Sequence, residues 1–74
     1  MSLRISSFNA RGLADTKKRN VIFNWLYNNH RGIILLQETH STVKNETLWE
    51  KEWKGKIVFN HGEYNKRGVA ILVP

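Results

Sequence analysis

Asn9 and Glu38 are the residues whose chemistry depends most on where the chain places them. Each follows a short run that reads as a β-strand. If those strands are parallel neighbours, both side chains emerge at the carboxyl edge of the sheet, where open α/β folds bind ligands. A carboxylate and an amide there offer hard oxygen donors suited to Mg²⁺. That ion is often held by one or two carboxylates and completes its shell with water and substrate phosphate. The same positions also suit plain structural roles, Asn9 capping a turn and Glu38 ending a strand in solvent.

Other constellations point elsewhere. Glu38 and His40 with His30 and His61 evoke a His/Glu zinc site, but no H-E-x-x-H or comparable spacing accompanies them, and scattered histidines fit surface positions equally well. Ser6, Ser7 and Ser41 lack the G-x-S-x-G setting of a nucleophile, and Arg11-Gly12 is a single glycine rather than a phosphate loop. Arg67-Gly68 followed by Val69, Ala70, Ile71 and Leu72 echoes a strand motif of RNA-recognition domains. The aromatics that stack bases are missing, however, and Val69 and Ile71 stand in their places. A buried strand after a basic turn accounts for the segment better. Trp49 and Trp53, one helical turn apart, could stack on nucleotides, although such pairs are usually core or interface. Lys17-Lys-Arg19 reads as a solvated first helical turn, with phosphate contact or a minimal nuclear signal as alternatives.

These residues need elements to position them. Leu3 to Phe8 alternates as a strand. Asn9-Ala-Arg-Gly12 is a turn in which Gly12 can take a positive φ. Asp15 is a good N-cap for a helix to about Asn29, with Val21, Ile22, Trp25 and Leu26 at helical spacing, Phe23 and Tyr27 widening the stripe, and Gly32 as its stop. Ile33-Ile-Leu-Leu-Gln37 is a continuous apolar run, as in a strand covered on both faces. A second helix is predicted around Asn45 to Trp53. Lys56 to Asn60 and Gly68 to Val73 read as a hairpin across a turn-rich segment. The order β-α-β-α-β-β predicts an α/β fold, a mixed sheet with flanking helices.

Bulk properties narrow the partners. Seventy-four residues allow one small domain, which buries only about 60% of its unfolded surface. Twelve Lys and Arg against six Asp and Glu give +6, which favours polyanions, nucleic acid before anionic lipid. The excess sits in the first half, where Arg4, Arg11, Lys17, Lys18, Arg19 and Arg31 meet only Asp15 before Glu38. There is no cysteine, hence no disulfide or thiolate. The longest purely apolar run is five residues, Val69 to Val73, and no signal peptide is legible, so an intracellular setting without membrane partners is the default expectation.

Three segments together resemble the opening motifs of the endonuclease/exonuclease/phosphatase superfamily. They are Ile5-Ser-Ser-Phe-Asn-Ala-Arg-Gly12, Leu35-Leu-Gln-Glu-Thr-His40 and Arg67-Gly-Val-Ala-Ile-Leu-Val-Pro74. The likeness is greatest to the endonuclease domains of non-LTR (LINE-type) retrotransposons, relatives of abasic-site endonucleases, and it covers the whole chain. It implies the N-terminal portion of a four-layer αββα sandwich, roughly the first third of the domain. It also implies a DNA substrate and Mg²⁺ or Mn²⁺ at the strand ends. By motif position Glu38 matches the metal-ligating glutamate and Asn9 the asparagine beside the metal. Asn65 to Gly68 matches a loop near the DNA backbone, so Asn65, Lys66 and Arg67, with Arg11, are candidate nucleic-acid contacts. The family's catalytic aspartate with its asparagine neighbour, its second metal-side aspartate and its closing Ser-Asp-His have no counterpart here. Asp15 sits at a helix start and cannot substitute. The expectation is a nuclease piece inactive alone and binding metal weakly, able to pair with the missing C-terminal portion. Two alternatives stay open: a non-catalytic basic module that binds nucleic acid or self-associates, and a phosphatase-like relative acting on phosphoinositides or sphingolipids.

Overall fold

Alternation in the first segment produces strand β1 (Ile5–Asn9), one residue longer at its end than the sequence suggests, so that Asn9 closes the strand instead of opening the turn. The structure is a computed structural model and describes residues 4–30, 32–62 and 67–74. Leu3, Asn65 and Lys66 therefore lie outside the described residues. Helix α1 (Thr16–Asn29) follows, capped by the Asp15 carboxylate, which accepts from the Lys18 amide at 2.8 Å. Strand β2 (Ile33–Gln37), a 3₁₀ turn (Val43–Asn45), helix α2 (Glu46–Glu52), strand β3 (Lys56–His61) and strand β4 (Gly68–Val73) complete the order.

The four strands form one mixed sheet in the order β1-β2-β4-β3. β1 and β2 are parallel, with Asn9 opposite Gln37. β4 pairs antiparallel with both β2 and β3. The hairpin is as predicted, but β4 takes the inner position. Its alternating Ala70 and Leu72 are buried, whereas β3 buries only Ile57 fully, so β4 covers more of the core.

One face of the sheet presents Phe8, Ile34, Leu36, Ile57, Phe59, Ala70 and Leu72 to the helices. Phe23 and Leu26 of α1 meet Trp49 and Trp53 there, and Phe23 packs edge-on to both indoles. The tryptophan pair is thus core, as helical spacing suggested. The buried stripe of α1 differs from the expected one. Arg19, Phe23 and Leu26 point inward while Val21 and Trp25 are exposed, and Phe23 is the residue of this face that meets both indoles.

Arg19 overturns the reading of a solvated basic turn. It is 1% exposed, ion-paired to Glu52 at 2.5 Å, and its guanidinium lies over the Trp49 ring. A buried arginine is tolerated when its donors are matched by acceptors, and here Glu52 and the Leu13 and Ala14 carbonyls supply them.

Three further expectations are corrected. The continuous apolar run of β2 is covered on one face only: Ile34 and Leu36 are buried, Ile33 and Leu35 half-buried. Val69 and Ile71 share the open face, so β4 is not a fully buried strand. Gly32 is not the helix stop, since His30 ends α1 in extended backbone. No helix among the described residues is long and apolar enough to cross a membrane.

Candidate functional site

The parallel pairing of β1 and β2 sets Asn9 beside Gln37 and puts Glu38 one residue past the strand. Regular alternation would then send the Asn9 and Glu38 side chains to opposite faces. They meet nonetheless: Asn9 Nδ2 donates to Glu38 Oε2. The backbone explains this, because Glu38 leaves the strand with φ of 52°, in the left-handed region. That conformation is uncommon for a residue with a Cβ and persists only where the surroundings over-determine it.

The surroundings do so. The segment 38–40 is sandwiched between two others. On one side the Gly12 amide donates to Glu38 O at 2.7 Å and the Leu13 amide to Thr39 O at 3.0 Å. On the other, the Thr39 amide donates to Gly68 O and the His40 amide to Arg67 O, both at 3.1 Å. Arg11 and His40 are also left-handed, with φ of 52° and 57°. Three such non-glycine residues at one edge mark it as the most conformationally strained part among the described residues. Gly12 (φ 86°) is required there, since a Cβ would lie 2.8 Å from His40 Nδ1.

Asn9 is held from its other end as well. Its Oδ1 accepts from the Arg11 amide at 3.0 Å, which fixes which way the side-chain amide faces. Lys18 Nζ donates to Arg11 O at 3.1 Å and ties the turn to α1. Asn9, Arg11, Glu38 and Arg67 are all exposed. The edge therefore presents one carboxylate, held by one amide and flanked along the chain by the cations Arg11, Lys18 and Arg67. Among the described residues no hydrogen bond engages Glu38 Oε1, and no three His, Asp or Glu side chains converge as a metal cluster. The donor set is one hard carboxylate with an orienting amide. It fits a cation that keeps most of its water, such as Mg²⁺.

Each candidate is thus placed or set aside. The structure joins Asn9 to Glu38, and sets Arg67 at the same edge through its backbone bond to His40. Asn65 and Lys66, the other expected nucleic-acid contacts, lie outside the described residues. His61, which scattered spacing suggests is a surface histidine, is half-buried and bonded to Ser41 and Glu46. Its partners are 20 and 15 residues away, so no local spacing could signal them.

Comparison with known proteins adds one observation. Over 72 residues, 97% of its length, the chain is 35% identical to "Transposon TX1 uncharacterized 149 kDa protein" of Xenopus laevis. The chain is similar to a segment of a transposon protein. It spans only 6% of that protein's length. No protein-family model matches the chain.

Proposed function

We propose that this chain is part of a divalent-metal-dependent endonuclease of a retrotransposon, acting on phosphodiester bonds in DNA. The observation that carries the reading is the Asn9–Glu38 pair at the carboxyl edge of two parallel strands. Similarity to a transposon protein supports a nucleic-acid substrate over a phosphorylated lipid. Glu38 is the residue that would hold Mg²⁺ or Mn²⁺. Such an ion, when bound, polarises a phosphoryl oxygen and stabilises the leaving oxygen.

The chain's own residues do the positioning. Asn9 donates to Glu38 Oε2 and keeps the carboxylate oriented at the edge. Arg11 holds the Asn9 amide through its backbone N–H. The side chains of Arg11 and Arg67, with Asn65 and Lys66 in the same role, would attract the phosphate backbone, a term that sets register without reading bases. In-line attack by water also needs a general base. Asp15 is engaged as a helix cap and does not serve. The chain alone is therefore expected to bind DNA and metal weakly and not to nick it.

The test is Mn²⁺ titration of the ¹⁵N-labelled chain followed by paramagnetic broadening. Broadening centred on Asn9, Glu38 and Thr39, and lost in Glu38→Gln, is the expected result. Broadening that survives Glu38→Gln sinks the metal assignment. A salt series of DNA binding is expected to lose about one unit of slope per phosphate contact in Arg11→Ala or Arg67→Ala.

A second reading has its own observation. The sheet face away from the helices exposes Ile5 (65%), Val58 (54%), Val69 and Ile71. Apolar surface in a contiguous strip marks a site of association. Self-association, or packing against a further portion of the domain, would cover it. Light scattering after gel filtration distinguishes a dimer from a monomer.

A further inference from the structure

We infer that Glu46, His61, Ser41 and Thr39 form a hydrogen-bonded relay that positions the Glu38 loop against the β3–β4 hairpin. The inference rests on reading Glu38 as the working carboxylate and adds the residues that hold it in place. His61 Nε2 lies 2.5 Å from Glu46 Oε2, and His61 Nδ1 lies 2.7 Å from Ser41 Oγ. Ser41 Oγ is 3.1 Å from Thr39 Oγ1, which also accepts from the Ser41 amide at 3.4 Å. Thr39 directly follows Glu38, and its amide bonds to Gly68 O across the edge.

The chemistry gives this chain a direction. A carboxylate only accepts, so the Nε2 proton of His61 faces Glu46. In the neutral ring Nδ1 is then an acceptor, to which Ser41 Oγ–H would donate. Ser41 Oγ in turn accepts from the Thr39 hydroxyl. Thr39 and Ser41 are both fully buried, so neither hydroxyl can turn to water instead. Every polar atom along the line is satisfied in one arrangement, and a partly satisfied buried network would be costly.

Position makes the relay useful. Glu38 and His40 are both left-handed, and Thr39 lies between them. Backbone bonds hold Thr39 and His40 to residues 67–68, and the relay ties Ser41 to His61, which lies opposite Gly68 on the other strand of the same hairpin. Glu46 anchors His61 to the first turn of α2. The loop bearing Glu38 and the hairpin bearing Arg67 are thereby locked together. Ser41 resembles the hydroxyl of a Ser-His-Glu nucleophile system, but its burial rules out attack on a substrate. These are positioning residues.

Amide hydrogen exchange and histidine NMR on the full chain test the relay without reference to metal. Long-range ¹⁵N correlation at about pH 8, where an ordinary histidine is neutral, is expected to show His61 as the Nε2–H tautomer. Ser41→Ala and Glu46→Ala are expected to speed exchange of the Thr39 and His40 amides about tenfold. The Phe23 and Leu26 amides of α1 serve as the folding control and stay unchanged. Glu46→Gln keeps an oxygen acceptor for the Nε2 proton and is expected to restore protection to within about twofold. An Nδ1–H tautomer, unchanged exchange in Ser41→Ala, or equal acceleration throughout α1 overturns the relay. So does a Glu46→Gln chain that exchanges like Glu46→Ala, because an ion pair alone would then explain the contact. Failure of Mn²⁺ to broaden Glu38 in the unsubstituted chain would remove the functional reading, while the tautomer and exchange results still decide the relay.

Discussion

Replacing Arg19 by methionine keeps an apolar stem in the core and removes five hydrogen bonds, two of them to Glu52 and two to the Leu13 and Ala14 carbonyls. Glu52, with its side chain 14% exposed, is left beside the core without a counter-charge. Breaking a buried pair from one side costs about 3–5 kcal/mol. The residual exposure of Glu52 lets water recover part of that, so about 3 kcal/mol is expected. A domain of this length has roughly 4–11 kcal/mol in total, so the variant should sit near the edge of folding. With a urea dependence of about 1 kcal/mol per M for so small a chain, the midpoint should fall by about 3 M. Urea melts followed by tryptophan fluorescence would read it, since Trp49 lies under the guanidinium. The double variant Arg19→Met with Glu52→Leu removes the stranded charge and is expected to regain about half of the loss. A single-variant cost below about 1 kcal/mol, or a double variant no better than the single, would refute the account of Arg19 as a matched buried charge.

Other perturbations separate local from global contributions. Asp15→Ala removes the cap on the Lys18 amide and should cost about 1 kcal/mol in the same urea assay. Gly32→Ala should cost about 2–3 kcal/mol by thermal melting, because Gly32 has φ of 136° and a Cβ would fall 2.4 Å from Arg4 O, beside the first parallel bridge. Val58→Thr combined with Ile71→Thr, cross-strand partners on the open face, should change stability by no more than about 0.5 kcal/mol and reduce any self-association seen by light scattering.

The β1-α1-β2 unit was legible because its signals are local. Asp15 is a cap in sequence and in structure, and the two strands carry Asn9 and Glu38 to the same edge. What joins those two side chains was not legible. Strand alternation separates them, and only the left-handed turn at Glu38, held by residues 12–13 and 67–68, brings the carboxylate round to Asn9. Arg19 departs from its sequence expectation for a related reason. A cation inside a Lys-Lys-Arg triplet looks solvated, and its acceptor Glu52 is 33 residues away. The His61 relay likewise depends on the β3–β4 register and on where α2 packs. Local propensity reports elements, whereas buried polar partners are decided by tertiary placement.

The inner position of β4 also sets an order of assembly. During synthesis, β1, α1 and β2 can associate as soon as residue 37 is available. The segment from Val43 to His61 then waits, because β3 has no strand to pair with until residues 68–73 arrive. For that interval the indoles of Trp49 and Trp53 and the free edge of β2 stay open to other chains. A product halted just before Gly68 would thus lose the whole second half of the sheet, not one strand from its rim, and aggregation would be its expected fate.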